Sequence, residues 1–212
     1  TAKKGTDFWL ITSGTKLTAE KARQLKQTGR LTGVSVSLDH FLPDQHNAFR
    51  KRSYSYDDAV CAVKNCLTVN LAVGLAICTT KSFVSWDNLM RYAEKAKELG
   101  VHFIQLQEPY AVGSYAGKDV TLSDEQILIL DHFYKEMNCN EKYKHFPMVV
   151  FHGFHQRRIG CFGGKRYFYI DADGNIHSCP YCRSSHANVL NDSLEQYIQE
   201  TESDCLSFSN FN

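Results

Sequence analysis

Four of the eight cysteines in this 212-residue chain fall after residue 160: Cys161, Cys179, Cys182 and Cys205. Cys179 and Cys182 belong to a CPYC step, which offers two thiolates from one tight turn. RYFYI (166–170) and NIHSC (175–179) flank DADG (171–174), and two strand-like runs around such a turn read as a hairpin. That hairpin would carry Cys179 back toward the chain that entered through Cys161. A short helix expected over 192–200, capped by Asp192 or Ser193, would let Cys205 return as a fourth ligand. Four sulfurs suit an iron–sulfur cluster, and they suit tetrahedral zinc equally. The donor set does not separate the two, and buried or free thiols are the plain alternative. His177 and His186 are weaker substitutes for Cys205 and read as surface histidines. Cys61 and Cys66 sit five apart on a helical run and share a face poorly, so both read as packing residues, and Cys78 reads as a small buried hydrophobe. Cys139 follows a helical run in a polar stretch and carries no role.

The rest of the chain must hold these cysteines. Net charge is +1, hydrophobic residues make up 43% and charged residues 22%, the profile of an ordinary globular chain. That balance gives no footing for wholesale nucleic-acid or membrane-surface binding. The basic run HGFHQRR (152–158) lacks a wider patch of interleaved aromatics and reads as a solvated linker. No stretch approaches the roughly 20 apolar residues of a membrane span. No signal-peptide pattern is present, so the cluster of cysteines points to metal rather than disulfides and to a cytoplasmic setting.

Up to about residue 150, short apolar runs alternate with amphipathic ones. DFWLI (7–11), GVSVSL (33–38), LAVGLAI (71–77), VHFIQLQ (101–107) and a weaker PMVVF (147–151) read as strands. The near-continuous apolar run 71–77 fits a strand buried on both faces, which is the parallel-sheet pattern. Residues 16–29, 55–68, 85–99 and 122–137 carry apolar positions at helical spacing. This alternation predicts an α/β chain with a partial parallel (β/α) barrel, incomplete and TIM-like, over 1–152. A small cysteine-rich lobe of β-hairpin plus helix would occupy 153–212. Five strands are too few to close a barrel.

Sheets of this kind bind ligands at the C-terminal ends of their strands. Thr12 and Ser13, Ser37 and Asp39, Cys78 and Thr79, and Gln107 and Glu108 fall there. The plain alternatives are that Asp39 caps the following turn and that Arg50 lies on a solvated face.

Three segments in register resemble the radical S-adenosylmethionine enzymes. VSVSLDH (34–40) followed by HNAFRK (46–51) is similar to the fourth barrel strand and its His…Arg segment. WDNLMRYAEKAKELGVHFIQLQEP (86–109) is similar to the fifth helix and sixth strand. CFGGKRYFYIDADGNIHSCPYC (161–182) resembles the opening of the auxiliary-cluster region called SPASM, or its shorter relative twitch, with Cys161, Gly174 and Cys179 at matching spacing. NVLNDSLEQYI (188–198) resembles the close of that region, with Ala187 where the family has glycine. DFWLITSGT (7–15) looks like the third barrel strand with its polar end.

The resemblance implies a bound S-adenosylmethionine in the intact protein, lined by Thr12, Ser13, Ser37, Asp39 and Arg50. Ser37 would face the methionyl part, Asp39 would reach the ribose or the substrate, and Arg50 would pair with the cofactor carboxylate. It also implies a [4Fe–4S] cluster on Cys161, Cys179, Cys182 and Cys205, hydrogen abstraction by a 5′-deoxyadenosyl radical, and a peptide or protein substrate. The family's CxxxCxxC motif is absent, and no three cysteines here have that spacing. The first two strands and that motif are therefore expected to precede Thr1, and this fragment is expected to be inactive. The rival from another class is a non-catalytic α/β binding module with a structural zinc. A TIM-barrel metabolic enzyme would need a glycine-rich phosphate loop after a late strand, which the sequence lacks.

Overall fold

A computed structural model describes residues 5–164, 166–182, 184–185 and 187–193. Two compact units emerge: Thr1–Pro109 with Asp119–Phe151, and Tyr110–Lys118 with His152–Asn212.

The first unit holds the expected strands β1 (Phe8–Thr12), β2 (Leu31–Ser37), β3 (Ala72–Cys78), β4 (Phe103–Gln107) and β5 (Met148–Phe151). They form one sheet in sequential order, and every pairing is parallel. The helices between them are α1 (Ala19–Gln27), α2 (Pro43–Arg50), α3 (Ser55–Thr68), α4 (Trp86–Leu99) and α5 (Asp124–Cys139). The α/β fold with an incomplete parallel barrel is thus the one the strand–helix alternation predicts. β3 is buried along its centre, as its apolar run requires, and shares the core with Val34 and Val36 of β2, Ile104 and Leu106 of β4 and Phe151 of β5.

Local chemistry sets the helix starts. Thr18, Ser85 and Ser123 accept a backbone N–H from the first turns of α1, α4 and α5, and Gln126 closes a capping box with Ser123. On one face of the sheet, large and small residues alternate. The Trp9 ring lies over Gly33 and the Phe103 ring over Gly74, where a Cβ would come within 2.4 and 2.2 Å of the ring atoms. The two rings meet edge to face at 5.5 Å.

The second unit carries α6 (His152–Ile159) and a small antiparallel sheet of β6 (Tyr169–Ile170), β7 (Asn175–His177) and β8 (Ala187–Asn188). The DADG hairpin forms, with Tyr169 opposite His177. Residues 152–158 are helical rather than a linker, because nothing from Phe154 to Ile159 breaks a helix before Gly160. The helix expected over 192–200 lies outside the described residues beyond Ser193.

Candidate functional site

The C-terminal ends of β1, β2 and β3 gather most of the singled-out polar residues. The β1 end is held by its own turn: Thr12 Oγ1 accepts the Gly14 N–H at 3.1 Å, and Ser13 Oγ donates to Thr15 Oγ1 at 3.2 Å. Gly14 has φ +86°, and a Cβ there would fall 2.8 Å from the Ala59 Cα of α3. The turn therefore packs directly on α3. Arg52 ties the same corner together, bonding Thr15 and, at 2.7 Å, Asp58.

From Ser37, the last residue of β2, the chain passes through Leu38 to Asp39. The half-buried Ser37 hydroxyl has no hydrogen-bond partner among the described residues. Asp39 is buried, its side chain only 3% exposed. Oδ1 accepts the backbone N–H of Cys78 at 3.1 Å, and Oδ2 accepts Arg50 Nε–H at 2.5 Å. Both oxygens are thus taken by the chain itself, one at the end of β3 and one at the end of α2. Each oxygen holds one of the two bonds it can accept, so burial rather than saturation separates Asp39 from solvent. The Arg50 side chain is 33% exposed, and among the described residues neither Nη group has a hydrogen-bond partner.

Behind Asp39 stands His46, which the sequence offered only as part of a motif. Its side chain is 1% exposed. Nδ1 accepts the Asp39 backbone N–H at 3.0 Å, the ring also bonds the Ser55 backbone, and it meets the Tyr56 ring edge to face. Burial pushes the His46 pKa down, with Asp39 pulling the other way and Arg50 adding to the depression. The imidazole is therefore neutral, and its 3.8 Å approach to Asp39 Oδ2 is not an ion pair. Tyr92 completes the cluster from α4, donating to Leu38 O at 2.6 Å, with its hydroxyl pKa raised well above normal, chiefly by burial. Asn47 Oδ1 joins α2 to α3 by accepting from Ser55 Oγ and from the Tyr56 N–H.

Cys78 ends β3 beside this cluster. Burial, with Asp39 adding to it, pushes its thiol pKa up to about 11. It stays protonated at neutral pH and is no nucleophile. Thr79 donates both its N–H and its hydroxyl to Gln107 O, locking the ends of β3 and β4.

In the second unit, the Cys179 and Cys182 sulfurs lie 3.5 Å apart across the CPYC turn, which is closed by the Cys182 N–H on Cys179 O. Gly163 links them to Cys161: its N–H donates to Cys161 Sγ at 3.3 Å, and a Cβ on it would lie 3.4 Å from both that sulfur and Cys179 Cβ. Among the described residues no three His, Cys, Asp or Glu side chains converge closely enough to hold one metal ion, and Cys205 lies outside them. His177 is buried rather than on the surface, bonded to Asp171 Oδ2 at 3.1 Å and near Ser184 O at 3.2 Å. His186 lies outside the described residues. Asp171 organises the hairpin, accepting the N–H groups of Asp173 and Asn175 and the Asn175 side chain. These bonds, the Asn175 side chain foremost and His177 next, hold its pKa at about 2. The Tyr181 ring, between the two cysteines, meets the Tyr110 ring at 4.5 Å with the planes tilted by 47°.

No family model matches the chain, and no curated protein matches it in sequence. Solved structures match its fold. Streptococcus suis SuiB bound to the precursor peptide SuiA aligns at a TM-score of 0.67 and 11% identity, covering 89% of this chain and 46% of that one. SuiB bound to S-adenosylmethionine gives 0.65 at 11%, covering 89% and 47%. Native anSMEcpe with bound AdoMet and Kp18Cys peptide gives 0.66 at 15%, covering 91% and 57%. The chain spans about half the length of these proteins. At such identities the likeness is one of fold. Among the described residues no helix is long and apolar enough to cross a membrane.

Proposed function

We propose that this chain is the C-terminal part of a radical S-adenosylmethionine enzyme that acts on a peptide or protein, with a SPASM- or twitch-type cluster region over 153–212. The observation that carries it is the fold likeness to structures solved with S-adenosylmethionine and with peptides. It is joined to a polar cluster at the strand ends where such a sheet takes its ligand. Thr12, Ser13, Ser37 and Arg50 would line the cofactor, with Asp39 beneath them. The cofactor and its own cluster supply the radical chemistry. This chain supplies orientation: a guanidinium fork suited to a carboxylate, hydroxyls at the ends of β1 and β2, and a buried floor under them.

Cys161, Cys179, Cys182 and Cys205 are the proposed ligands of the auxiliary [4Fe–4S] cluster. The donor set fits: two sulfurs from one turn, and a third, next to Gly163, that accepts a backbone N–H, the kind of bond that tunes cluster thiolates. The second reading, a binding module with structural zinc, keeps the same four sulfurs but needs them all around one ion.

Anaerobic reconstitution with iron and sulfide tests the proposal. Brown protein with iron and sulfide in cluster stoichiometry supports it; colourless protein holding one zinc favours the rival. Cys179→Ser and Cys182→Ser should abolish metal retention, whereas Cys61→Ser should not. With no CxxxCxxC in the sequence, this chain should yield no 5′-deoxyadenosine from S-adenosylmethionine after reduction. Its formation above background would overturn that part.

A further inference from the structure

Asp39 sits where a ligand-binding carboxylate is expected, yet its side chain is only 3% exposed. Oδ1 is spent on the Cys78 N–H and Oδ2 on Arg50 Nε, and its own backbone N–H is spent on His46. A buried carboxylate with both oxygens bonded at 3.1 and 2.5 Å is a fixed support rather than a contact waiting for a ligand. Arg50 has the opposite character. Its inner nitrogen is anchored, one third of its side chain is exposed, and among the described residues both Nη groups lack a hydrogen-bond partner.

We infer that Asp39 is a positioning residue whose carboxylate holds Arg50 by Nε, so that the two Nη groups form a preset receptor for a carboxylate at the ends of β2 and β3. The inference rests on the proposed function, in which that carboxylate is the methionyl one of S-adenosylmethionine, and it assigns Asp39 no contact with the ligand. Three features of the structure carry it. A guanidinium hydrogen-bonded only through Nε keeps its Nη groups for a planar acid. Anchoring removes most of the rotamer freedom an arginine otherwise loses on binding. The anchor is itself tied to the strand that ends at the site, since Cys78 is the last residue of β3. Asp39 therefore fixes the guanidinium relative to the sheet edge instead of relative to a loop.

The test uses two ligands differing in the carboxylate: S-adenosylmethionine and 5′-methylthioadenosine, which lacks the amino-acid part. Calorimetry on the full chain should show Asp39→Asn weakening S-adenosylmethionine by about tenfold, the order expected for a mispositioned charged contact, while 5′-methylthioadenosine binds unchanged. Arg50→Gln should do the same, and the double variant should lose no more than Arg50→Gln alone. Equal weakening of both ligands by Asp39→Asn, in a folded variant, would mean that Asp39 touches the nucleoside, and would overturn the inference. So would additive losses in the double variant, or no loss in Asp39→Asn. A readout independent of ligand is the Arg50 Nε–H resonance in 15N-edited spectra. It should be protected from exchange in the wild type and unprotected in Asp39→Asn; an unprotected wild-type signal overturns the anchoring even where Asp39→Asn fails to fold. If the wild type binds neither ligand while the resonance is protected, the functional reading and its carboxylate ligand fail and the Asp39–Arg50 anchor stands.

Discussion

Protonating His46 would undo several contacts at once. Its Nδ1 must carry a lone pair to accept the Asp39 N–H, and its ring also bonds the Ser55 backbone. Burial lowers its pKa below the usual value near 6.5, so the unfolded chain takes up the proton before the folded one does. The His46 contribution is therefore fully present above about pH 6.5 and is lost as pH falls from there toward the depressed folded value. Urea midpoints at pH 7.5 and 5.5 should fall in the wild type, and fall less in His46→Asn, whose amide oxygen can still accept the Asp39 N–H without titrating. Equal acid sensitivity in the two proteins would count against it. At this scale the sequence disclosed identities better than roles. Asp39 and Arg50 stand out because a polar residue at a strand end and an arginine eleven positions on can be read as candidates, but their mutual bond is set by where α2 returns. His46 was hidden because a buried histidine and a surface one look alike until the fold supplies the partners. Tyr92 was read only as part of a helical stripe, since nothing local indicates that its hydroxyl meets Leu38 O.

Elements were legible wherever periodicity ran long enough. The central strands 33–38 and 71–77 are parallel neighbours as the apolar runs imply, and α3 spans Ser55–Thr68 as its stripe predicts. What escaped was short: α2, begun by Pro43, α6, and the two-residue strand β8. A helix of eight residues spans little more than two turns and a strand of two residues holds no alternation, so neither lets a period declare itself. The turn after β1 is where one residue decides whether two elements meet. Gly14 combines a left-handed φ of +86° with backbone only 2.8 Å from where a Cβ would be. Gly14→Ala should therefore lower stability by about 1–3 kcal/mol, because strain and steric push act together and α3 offers backbone rather than a movable side chain. Thermal unfolding measures it, and a loss below about 0.5 kcal/mol, within the range of ordinary surface changes, would mean that the turn relaxes freely. Removing the α5 cap with Ser123→Ala should cost about 1 kcal/mol by the same assay, since the Gln126 N–H loses its side-chain acceptor while the backbone N–H at 123 keeps Gln126 Oε1.

On the scale of the whole molecule, the two units differ in what holds them. Of the largest fully buried side chains among the described residues, only Ile176 belongs to the second unit; Tyr92, Phe133, Phe151 and the rest belong to the first. Among the described residues, the second unit's regular structure is one eight-residue helix, a 3-10 turn at Gly113–Tyr115 and strands of two or three residues. Its order comes instead from polar bonds around Asp171 and Asn188: Asn188 Nδ2 donates to Asp173 O and to Asn175 Oδ1, both at 3.0 Å. Such bonds each contribute only about 1 kcal/mol net, and a lobe whose described residues bury so little apolar surface would gain from a further source of folding free energy. Metal bound by Cys161, Cys179 and Cys182 would provide it, because a ligand that binds only the folded form stabilises that form. Limited trypsin digestion of reconstituted and chelator-treated protein should then diverge. Chelation should speed cleavage at Arg157, Arg158 and Arg166, while a fragment containing the β1–β5 sheet resists. Cys179→Ser should cut like the chelated wild type whether or not metal is supplied. Identical cleavage with and without metal would show that the hairpin network alone sustains the lobe. Cleavage spreading through residues 31–107 on chelation would show instead that the metal stabilises the parallel sheet as well, against the division of the core between the two units.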